Sequence, residues 1–373
     1  MVKQSAWSQW FTIYVVPGLI FQSVIVGGGY GTGREITEFF LLHGPYAGLF
    51  GMLVAALVWG VVLAIAFEFA RITRSYHYQA FFKALLGRFA WLFEVIYLLI
   101  AVIVLAVLGS ASGEILQELL GIPSFYGVLL LMVLVALLTF WGSKAIERIF
   151  VFWSGFLFLT FVLLLLVTWS NHGEVILAQF SERQLDAPWL TDGVRYAAYN
   201  LNALAAVLFV VPRFKRARHA VGAGLLAGAI TIVPGMLVFL ALLANYPAVL
   251  SAAVPVMDIL ALQNVLWLLV MLKVMLFGTF IETGSGVIHA INERLAARAL
   301  QRGRTFERYW RAIIAFVMVF FATVLAEEIG IIDLIKQGYG WLSYGYLVVV
   351  VIPLLTLGTA MVIKHRGRAP LND

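Results

Sequence analysis

The chain contains 373 residues, of which 63% are hydrophobic and only 12% are charged. A soluble domain carries about 25% charged residues, so this composition excludes a soluble globular protein and indicates an integral membrane protein. The formal net charge is +6 and there is no cysteine, which excludes disulfides and thiolate metal sites.

Apolar stretches of about 20 residues, the length of a bilayer-spanning helix, recur along the whole chain. They predict an all-α integral membrane protein with ten transmembrane helices, forming one transmembrane domain over residues 1–373. A β-barrel would show alternating segments of about 10 residues, which the sequence lacks. The predicted spans are residues 11–40 (interrupted), 46–70, 89–117, 125–142, 147–169, 190–212 (interrupted), 219–244, 263–297, 309–326 and 341–363.

Most of the 25 lysines and arginines fall in the loops on one side of these spans. This asymmetry follows the positive-inside rule and predicts a multi-pass protein of the cell membrane with both termini in the cytoplasm. Because topology accounts for the basic charge, we expect membrane lipid as a partner and no nucleic acid. The sequence does not indicate an oligomeric state.

The first span is broken by GGGYGTG at residues 27–33, followed at once by three charged residues. Unwound backbone survives in lipid only where it is buried in protein or lines a polar cavity. Glycine lets a ligand approach the backbone, and the ends of two half-helices offer N–H groups to an anion and carbonyls to a cation. The stretch therefore predicts a binding site. The alternative is close packing between helices, the interpretation that suits Gly109 and Gly113.

The sixth span, residues 190–212, carries Arg195, Tyr199, Asn200 and Asn202 at membrane depth. These polar residues predict a second interrupted helix. Paired interruptions at matching places in two halves point to the binding site of a transporter. We predict substrate contacts at the two breaks: Gly28, Gly29, Tyr30, Gly31, Thr32, Gly33, Tyr199, Asn200 and Asn202.

The two halves of the chain have similar plans. Residues 11–169 and 190–363 each supply five spans, and each half opens with an interrupted helix. Because five is odd, the second half is inverted relative to the first, which predicts a 5+5 inverted repeat. Between spans, residues 75–89 predict a short interfacial helix, and residues 247–262 predict an external hairpin or lid.

The eighth span carries a polar face. Thr279, Glu282, Thr283 and Gly286 follow the i, i+3, i+4, i+7 spacing of one helix side. An ionisable residue inside a span is expensive to bury and is a functional candidate. Hydroxyls with a carboxylate suit a hard cation, while a buried glutamate can instead carry a proton. A structural ion pair is the alternative.

Several motifs carry a resemblance to a known family. They are GGGYGTGREI in the first span, LLHGPYAGLFGM and EFARITRSY around the second, RYAAYNLNAL in the sixth, ETGSGVIHAINERL in the eighth and GYLVVVVIPLL in the tenth. With them the chain resembles the amino acid–polyamine–organocation superfamily, whose members have the LeuT-type fold, and most of all the YkvI-like bacterial membrane proteins.

The resemblance implies roles for further residues. In LeuT-type carriers the eighth helix supplies hydroxyl ligands for a sodium ion held against the first break, which implies Na⁺ at Thr279 and Thr283. An arginine after the first break often belongs to an external gate, and Arg34 holds that place. Its acidic partner would be Asp333, with Glu328 and Asp192 as alternatives. The residues expected to handle the coupling ion are Gly27, Thr279, Glu282, Thr283 and Ser285.

These observations predict a secondary active transporter that moves a small polar or zwitterionic solute, such as an amino acid, an amine or a related osmolyte, by alternating access. The coupling ion would be Na⁺ or H⁺, and no other cofactor is expected. The chain has no Walker A lysine motif, H-E-x-x-H motif or serine elbow, so we do not expect an enzyme. The alternative is a ligand-sensing receptor subunit with a transporter-like fold, resembling germinant receptors.

Overall fold

The structure is a computed structural model that describes residues 6–181, 185, 188–252, 254–263, 265–329 and 338–366. Over these residues every regular element is a helix and no strand occurs. Short 3₁₀ or π-helical turns join several of the α-helices. The α-helices are α1 Ala6–Trp10, α2 Val16–Ile25, α3 Gly28–Gly31, α4 Arg34–Phe39, α5 Pro45–Thr73, α6 Tyr78–Leu86, α7 Ala90–Leu120, α8 Ser124–Trp141, α9 Ser143–Ala178, α10 Trp189–Asn200, α11 Leu204–Val207, α12 Ala217–Leu242, α13 Pro255–Gln263, α14 Leu266–Gln301, α15 Arg308–Ile329, α16 Gly340–Tyr346 and α17 Thr359–Arg366.

Nine helical segments in the described part of the chain are long and apolar enough to cross a membrane. Each overlaps one of the predicted spans, so the all-helical, multi-span architecture is confirmed. The remaining predicted span, residues 309–326, lies within α15, which is helical but is not one of the nine. The count of ten, the single domain and the 5+5 inverted repeat stay predictions.

Helices α5 and α12 pack closely along their length because small residues meet at their crossing. A Cβ atom added to Gly228 would lie 2.4 Å from the carbonyl oxygen of Ala56 and 2.5 Å from the amide nitrogen of Gly60. One added to Gly224 would lie 2.2 Å from the amide nitrogen of Ala64. The two backbones are therefore in direct contact, which only glycine permits.

Helices α7, α8 and α15 form a second group. A Cβ on Gly109 would lie 2.3 Å from the Thr323 hydroxyl oxygen, and one on Gly113 would lie 3.0 Å from the Cβ of Ser124. Both glycines thus serve close helix packing, as their sequence context predicted.

Two short helices lie outside the spans predicted from the sequence. Helix α6 occupies the segment predicted to form an interfacial helix, and it begins after His77, whose ring accepts a hydrogen bond from the Ala80 amide at 3.3 Å. Burial lowers the pKa of His77, opposed by the Glu293 carboxylate, and the neutral ring is the form that can accept this bond. Helix α13 and the 3₁₀ turn Ala248–Ser251 form the predicted lid segment.

Candidate functional site

The first span is interrupted at the glycine-rich stretch. Helix α2 ends at Ile25, and Val26 leaves the helical region with φ −74° and ψ 73°. The single turn α3 follows. Gly33 then takes φ +83°, a left-handed value that favours glycine, before α4 begins at Arg34. The backbone between α2 and α4 is therefore shaped by its glycines.

The sixth span stays helical, which differs from the predicted interruption. Helix α10 ends at Asn200, and 3₁₀ turns at Leu201–Ala203 and Leu208–Arg213 flank the short α11. No glycine occurs between residues 194 and 213. The backbone consequently tightens into 3₁₀ turns here instead of unwinding as the first span does.

A small cavity lies where the first break, the sixth span and α14 meet. Its volume is about 20 Å³, room for about one or two water molecules. The predicted site residues that line it are Gly27, Gly29, Tyr199, Asn200, Asn202 and Thr283. Its other lining residues are Val24, Ile25, Glu35, Val104, Val107, Leu108 and Tyr339. The structure thus brings together residues that are far apart in sequence, while their binding role stays a prediction.

Glu35 is the one charged side chain among the described residues that line this cavity. The residue is only 4% exposed, and the Tyr199 hydroxyl donates a hydrogen bond to its Oε2 at 2.6 Å. Its Oε1 lies so close to Gly29 that a Cβ added to that glycine would be 2.2 Å away. The carboxyl group is therefore held between a tyrosine hydroxyl and bare glycine backbone at the cavity wall.

Aromatic rings surround this carboxyl group. The rings of Tyr199 and Tyr339 stack with centroids 4.8 Å apart, and Tyr196 meets Tyr199 edge-on at 5.6 Å. Tyr196 is fully buried beside the same carboxyl group. A carboxylate combined with aromatic faces is the set of groups that attracts an organic cation.

Glu282 lies in a second polar cluster that joins α2, α9 and α14. It is fully buried, and the Ser23 hydroxyl donates to its Oε1 at 3.2 Å while lying 3.0 Å from the Ser154 hydroxyl. Glu282 Oε2 has no hydrogen-bond partner in the described parts of the chain. An unpartnered buried carboxyl oxygen is costly, which makes Glu282 a candidate for binding a cation or a proton.

Thr283 connects this cluster to the cavity. Its hydroxyl donates to the carbonyl oxygen of Ser23 at 3.2 Å, and a Cβ placed on Gly27 would lie 2.9 Å from its Oγ1. Thr283 also lines the cavity. Thr283 therefore contacts both the backbone of the cluster residue Ser23 and the cavity.

The other predicted ion-coupling residues on α14 lie outside the cavity. The Thr279 hydroxyl donates to the carbonyl of Leu276 at 2.7 Å and lies 3.8 Å from a Cβ placed on Gly31. Ser285 is fully buried, and its hydroxyl has no partner within the described ranges. Thr279 and Thr283 thus face the first break one turn apart, but only Thr283 reaches the cavity.

Tyr30, predicted as a substrate contact, is bonded to α12 instead of lining the cavity. Its hydroxyl accepts from the Gly235 amide at 2.7 Å and donates to the Thr231 carbonyl at 2.8 Å. These two backbone groups would bond one another in a regular helix, and Pro234 lies between them. The hydroxyl is therefore inserted into the hydrogen-bond ladder of α12 at its proline.

Three further predicted substrate contacts, Gly31, Thr32 and Gly33, do not line this cavity. Gly28 begins the turn α3. Gly31 packs against Leu276, and Gly33 packs against the lid segment at Val256. Thr32 lines a separate cavity of about 30 Å³ together with Glu114 and Glu118. The residues of the first break that line the cavity beside Glu35 are therefore Gly27 and Gly29.

Arg34 binds the lid segment. Its guanidinium donates to the carbonyl oxygens of Leu250 at 3.1 Å and Ala252 at 3.0 Å, and it pairs with Glu38 at 2.9 Å. The Val256 amide adds a hydrogen bond to the Thr32 carbonyl at 3.1 Å. The first break is therefore tied to the lid by backbone carbonyls.

Of the three predicted acidic partners of Arg34, the structure describes the side chain of Asp192. Asp333 lies outside the described residues, as does the side chain of Glu328. Asp192 pairs with Arg195 at 2.8 Å and with His43 at 2.9 Å. The gate formed by Arg34 and Asp333 therefore stays a prediction.

Sequence reasoning did not assign Glu35, Tyr339 or the α7 wall of Val104, Val107 and Leu108 to the site. A signal for Glu35 was available in the helical spacing of α4. Arg34 and Glu38 are one turn apart and share a face, so Glu35 points elsewhere. Tyr339 and the α7 wall carry no comparable local signal, because they reach the cavity through tertiary packing alone.

Comparison with known proteins gives a fold but no established activity. No protein-family model matches the chain. It is 28% identical over 221 residues to the uncharacterized membrane protein YkvI of Bacillus subtilis (strain 168). That match covers 56% of this chain and 60% of YkvI, so the chain spans less than two thirds of the relative it matches.

Solved transporter structures are among those that share the fold. A Na⁺-coupled sialic acid symporter, in a substrate-bound outward-open state, matches with a TM-score of 0.64 and 12% identity, over 90% of this chain and 78% of that one. A manganese transporter of Eremococcus coleocola matches with a TM-score of 0.57 and 14% identity, over 97% of this chain and 86% of that one. At such identities the likeness concerns the fold alone.

Proposed function

We propose that this protein is a secondary active transporter of the amino acid–polyamine–organocation superfamily, located in the cell membrane with both termini cytoplasmic. The observation that carries the proposal is the cavity at the first break, where Gly27, Gly29, Asn202 and Thr283 meet around the buried Glu35. The fold shared with two solute transporters supports it. Alternating access would carry a small solute through this cavity.

The solute we propose carries a protonated nitrogen. Glu35 contributes the only charged side chain among the described lining residues, so a cation is favoured over an anion. Tyr199 and Tyr339 line the same cavity, and the ring faces that are not stacked on one another would add cation–π attraction. Val104 and Val107 form an apolar wall that suits a short aliphatic body. Small amines and amino acids combine these features.

The coupling ion we propose is Na⁺ or H⁺, handled by Glu282. Its unpartnered oxygen and the neighbouring Ser23 and Ser154 hydroxyls supply oxygen ligands for a hard cation or a site for a proton. Thr283 lies between this cluster and the cavity. Occupancy of the cluster would therefore alter the shape of the solute site.

The first experiment measures thermal unfolding of the detergent-purified protein with matched solute pairs. Ethanolamine is paired with ethylene glycol, putrescine with 1,4-butanediol, and glycine with glycolate. A ligand that binds the folded state raises the unfolding midpoint, so we expect shifts from the ammonium member of a pair only. Each titration is run in Na⁺ and in K⁺ at two pH values, which distinguishes the coupling ions.

Two glutamates on α4 provide a variant and its control. Glu35→Gln keeps the shape of the side chain but removes its charge, and we expect solute affinity to fall roughly 30-fold or more because the buried ammonium loses its partner. Glu38→Gln changes a partly exposed residue outside the cavity and should leave affinity unchanged.

Glu282→Gln should abolish the dependence on Na⁺ or pH while solute binding persists.

Uptake into liposomes then tests transport itself. A solute that shifts the midpoint should accumulate in vesicles containing the protein when the ion gradient identified above is imposed. Binding without uptake would overturn the transporter proposal. Equal binding of the ammonium member of a pair and its hydroxyl counterpart, or unchanged affinity in Glu35→Gln, would overturn only the assignment of the solute class.

A further inference from the structure

A large basic cavity lies beside the starts of α9 and α12, away from the proposed solute site. Its volume is about 790 Å³, within the range of small-molecule sites. Its walls come from the first helix, the start of α9, the loop before α12 and the first turn of α12. The residues that line it are Gln9, Thr12, Ile13, Lys144, Glu147, Arg148, Arg213, Lys215 and His219.

The charges in this cavity are strongly unbalanced. Its single carboxylate, Glu147, already forms an ion pair with Arg213. Within the described ranges no acidic residue pairs with Lys144, Arg148 or Lys215. These three residues are exposed. Their like charges repel each other, so an anion bound among them would be stabilised by all three.

The backbone adds to this positive potential. Helix α9 begins at Ser143 and α12 begins at Ala217, and both starting ends border the cavity. Neither first turn contains an acidic residue, and neither N-cap residue makes a side-chain capping bond. The partial positive charge of both helix ends is thus left uncompensated. The buried Nδ1 of His219 also has no partner in the described chain.

We propose that this cavity is a binding site for a phosphate group. A phosphate oxyanion accepts several charge-assisted hydrogen bonds, which suits two lysines, an arginine and two helix N-terminal ends. The group belongs either to a water-soluble phosphate ester or to the headgroup of an anionic phospholipid, since both carry the same chemistry. A bound phosphate would link the first helix, through Gln9, to α9 and α12.

The test is thermal unfolding of the 373-residue chain. One experiment in detergent supplies a soluble phosphate ester, and a second in nanodiscs supplies an anionic phospholipid. In uncharged detergent the protein is titrated with glycerol 3-phosphate. The control titration uses chloride at the same ionic strength. In nanodiscs, phosphatidylcholine alone is compared with phosphatidylcholine containing phosphatidylglycerol. We expect a saturable rise of about 2 °C or more in the setting that supplies the natural source, and none with chloride.

Variants separate a built site from general surface charge. The triple variant Lys144→Gln/Arg148→Gln/Lys215→Gln should bind roughly tenfold more weakly or worse. The matched control Lys83→Gln/Arg88→Gln/Arg298→Gln removes three exposed charges outside the cavity and should behave like the parent. Without added phosphate, the cavity variant should melt at or above the parent midpoint, because like-charge repulsion is relieved.

Each outcome decides the proposal. A rise with glycerol 3-phosphate assigns a soluble ester, and a rise with phosphatidylglycerol assigns a lipid headgroup. No saturable rise in either setting overturns the site, as does an equal effect of chloride. An equal loss of phosphate affinity in the cavity variant and in the control variant overturns the site too, because the binding would then come from net charge alone.

Discussion

Tyr30 illustrates how a residue inside a predicted ligand site can act on a different helix. Its hydroxyl joins the Thr231 carbonyl and the Gly235 amide, two groups of α12 that are separated by Pro234. Tyr30→Phe would leave both backbone groups unsatisfied in the interior, so we expect a loss of about 1–3 kcal/mol in the free energy of unfolding. The measurement is the unfolding midpoint of the purified protein.

The control for this substitution is Tyr344→Phe. Tyr344 is 50% exposed, so removing its hydroxyl should change stability little. A midpoint for Tyr30→Phe that matches the parent would show that α12 bonds its own backbone groups without the tyrosine. The same variant should keep its solute specificity, because the hydroxyl does not line the cavity.

The contrast between Glu35 and Glu38 shows where residue-level prediction stops. The sequence marks both as charged residues beside a glycine break, and the expense of burying charge identifies the region as functional. Which of the two is buried depends on the direction in which α4 leaves Gly33, a backbone property that depends on the lid packed against that glycine. The partner of Glu35, Tyr199, lies 164 positions away and has no local link to it.

Helix α12 depends on glycine where it crosses α5. Gly228→Ala would place a Cβ within 2.4–2.5 Å of backbone atoms of Ala56 and Gly60, and neither helix can turn its backbone aside as a side chain could. We expect the helices to separate locally and the free energy of unfolding to fall by about 1–3 kcal/mol. Thermal or denaturant unfolding measures this loss.

Gly155→Ala is the matched control, because α9 leaves open space around that residue. A Cβ added to Gly155 meets no atom within 4 Å. The substitution should be neutral or should stabilise the protein by about 0.5–1 kcal/mol, since glycine in a helix carries an entropic cost. If both substitutions have the same effect, the crossing does not depend on glycine and the packing argument fails.

At the scale of elements, composition predicted the helices well and the breaks unevenly. Long apolar runs identify helices because the bilayer imposes their length. The break at Gly27–Gly33 was predictable because glycine permits the left-handed turn at Gly33. The sixth span, which was predicted to be interrupted, remained helical. Its polar residues Asn200 and Asn202 donate hydrogen bonds to carbonyls of their own helical segment. Polar side chains alone therefore do not unwind a helix.

For the molecule as a whole, the size of the cavity means that the proposed solute can bind there only with a conformational change. A volume of about 20 Å³ holds about one or two water molecules, far less than an amine or an amino acid. A solute can enter only if some element moves away. The lid segment is the candidate on the side predicted to be extracellular, because Arg34 and Thr32 tie it to the first break.

Arg34→Gln should therefore loosen the lid and expose the cavity. The substitution removes two charge-assisted hydrogen bonds to the carbonyls of Leu250 and Ala252, each worth about 1.5–3 kcal/mol. The chain contains no cysteine, so a Val107→Cys probe at the cavity wall, 4% exposed in the parent, reports access without background. We expect its reaction with a maleimide to accelerate roughly tenfold or more in the Arg34→Gln background.

A second probe separates lid opening from general loosening. Ser251→Cys lies on the exposed surface of the lid segment and should react at the same fast rate with or without Arg34→Gln. A saturating solute should slow the reaction at Val107→Cys in both backgrounds, because it occupies the same space. An unchanged rate at Val107→Cys in the Arg34→Gln protein would contradict a gating role for Arg34. Entry would then have to begin at another element packed around the first break.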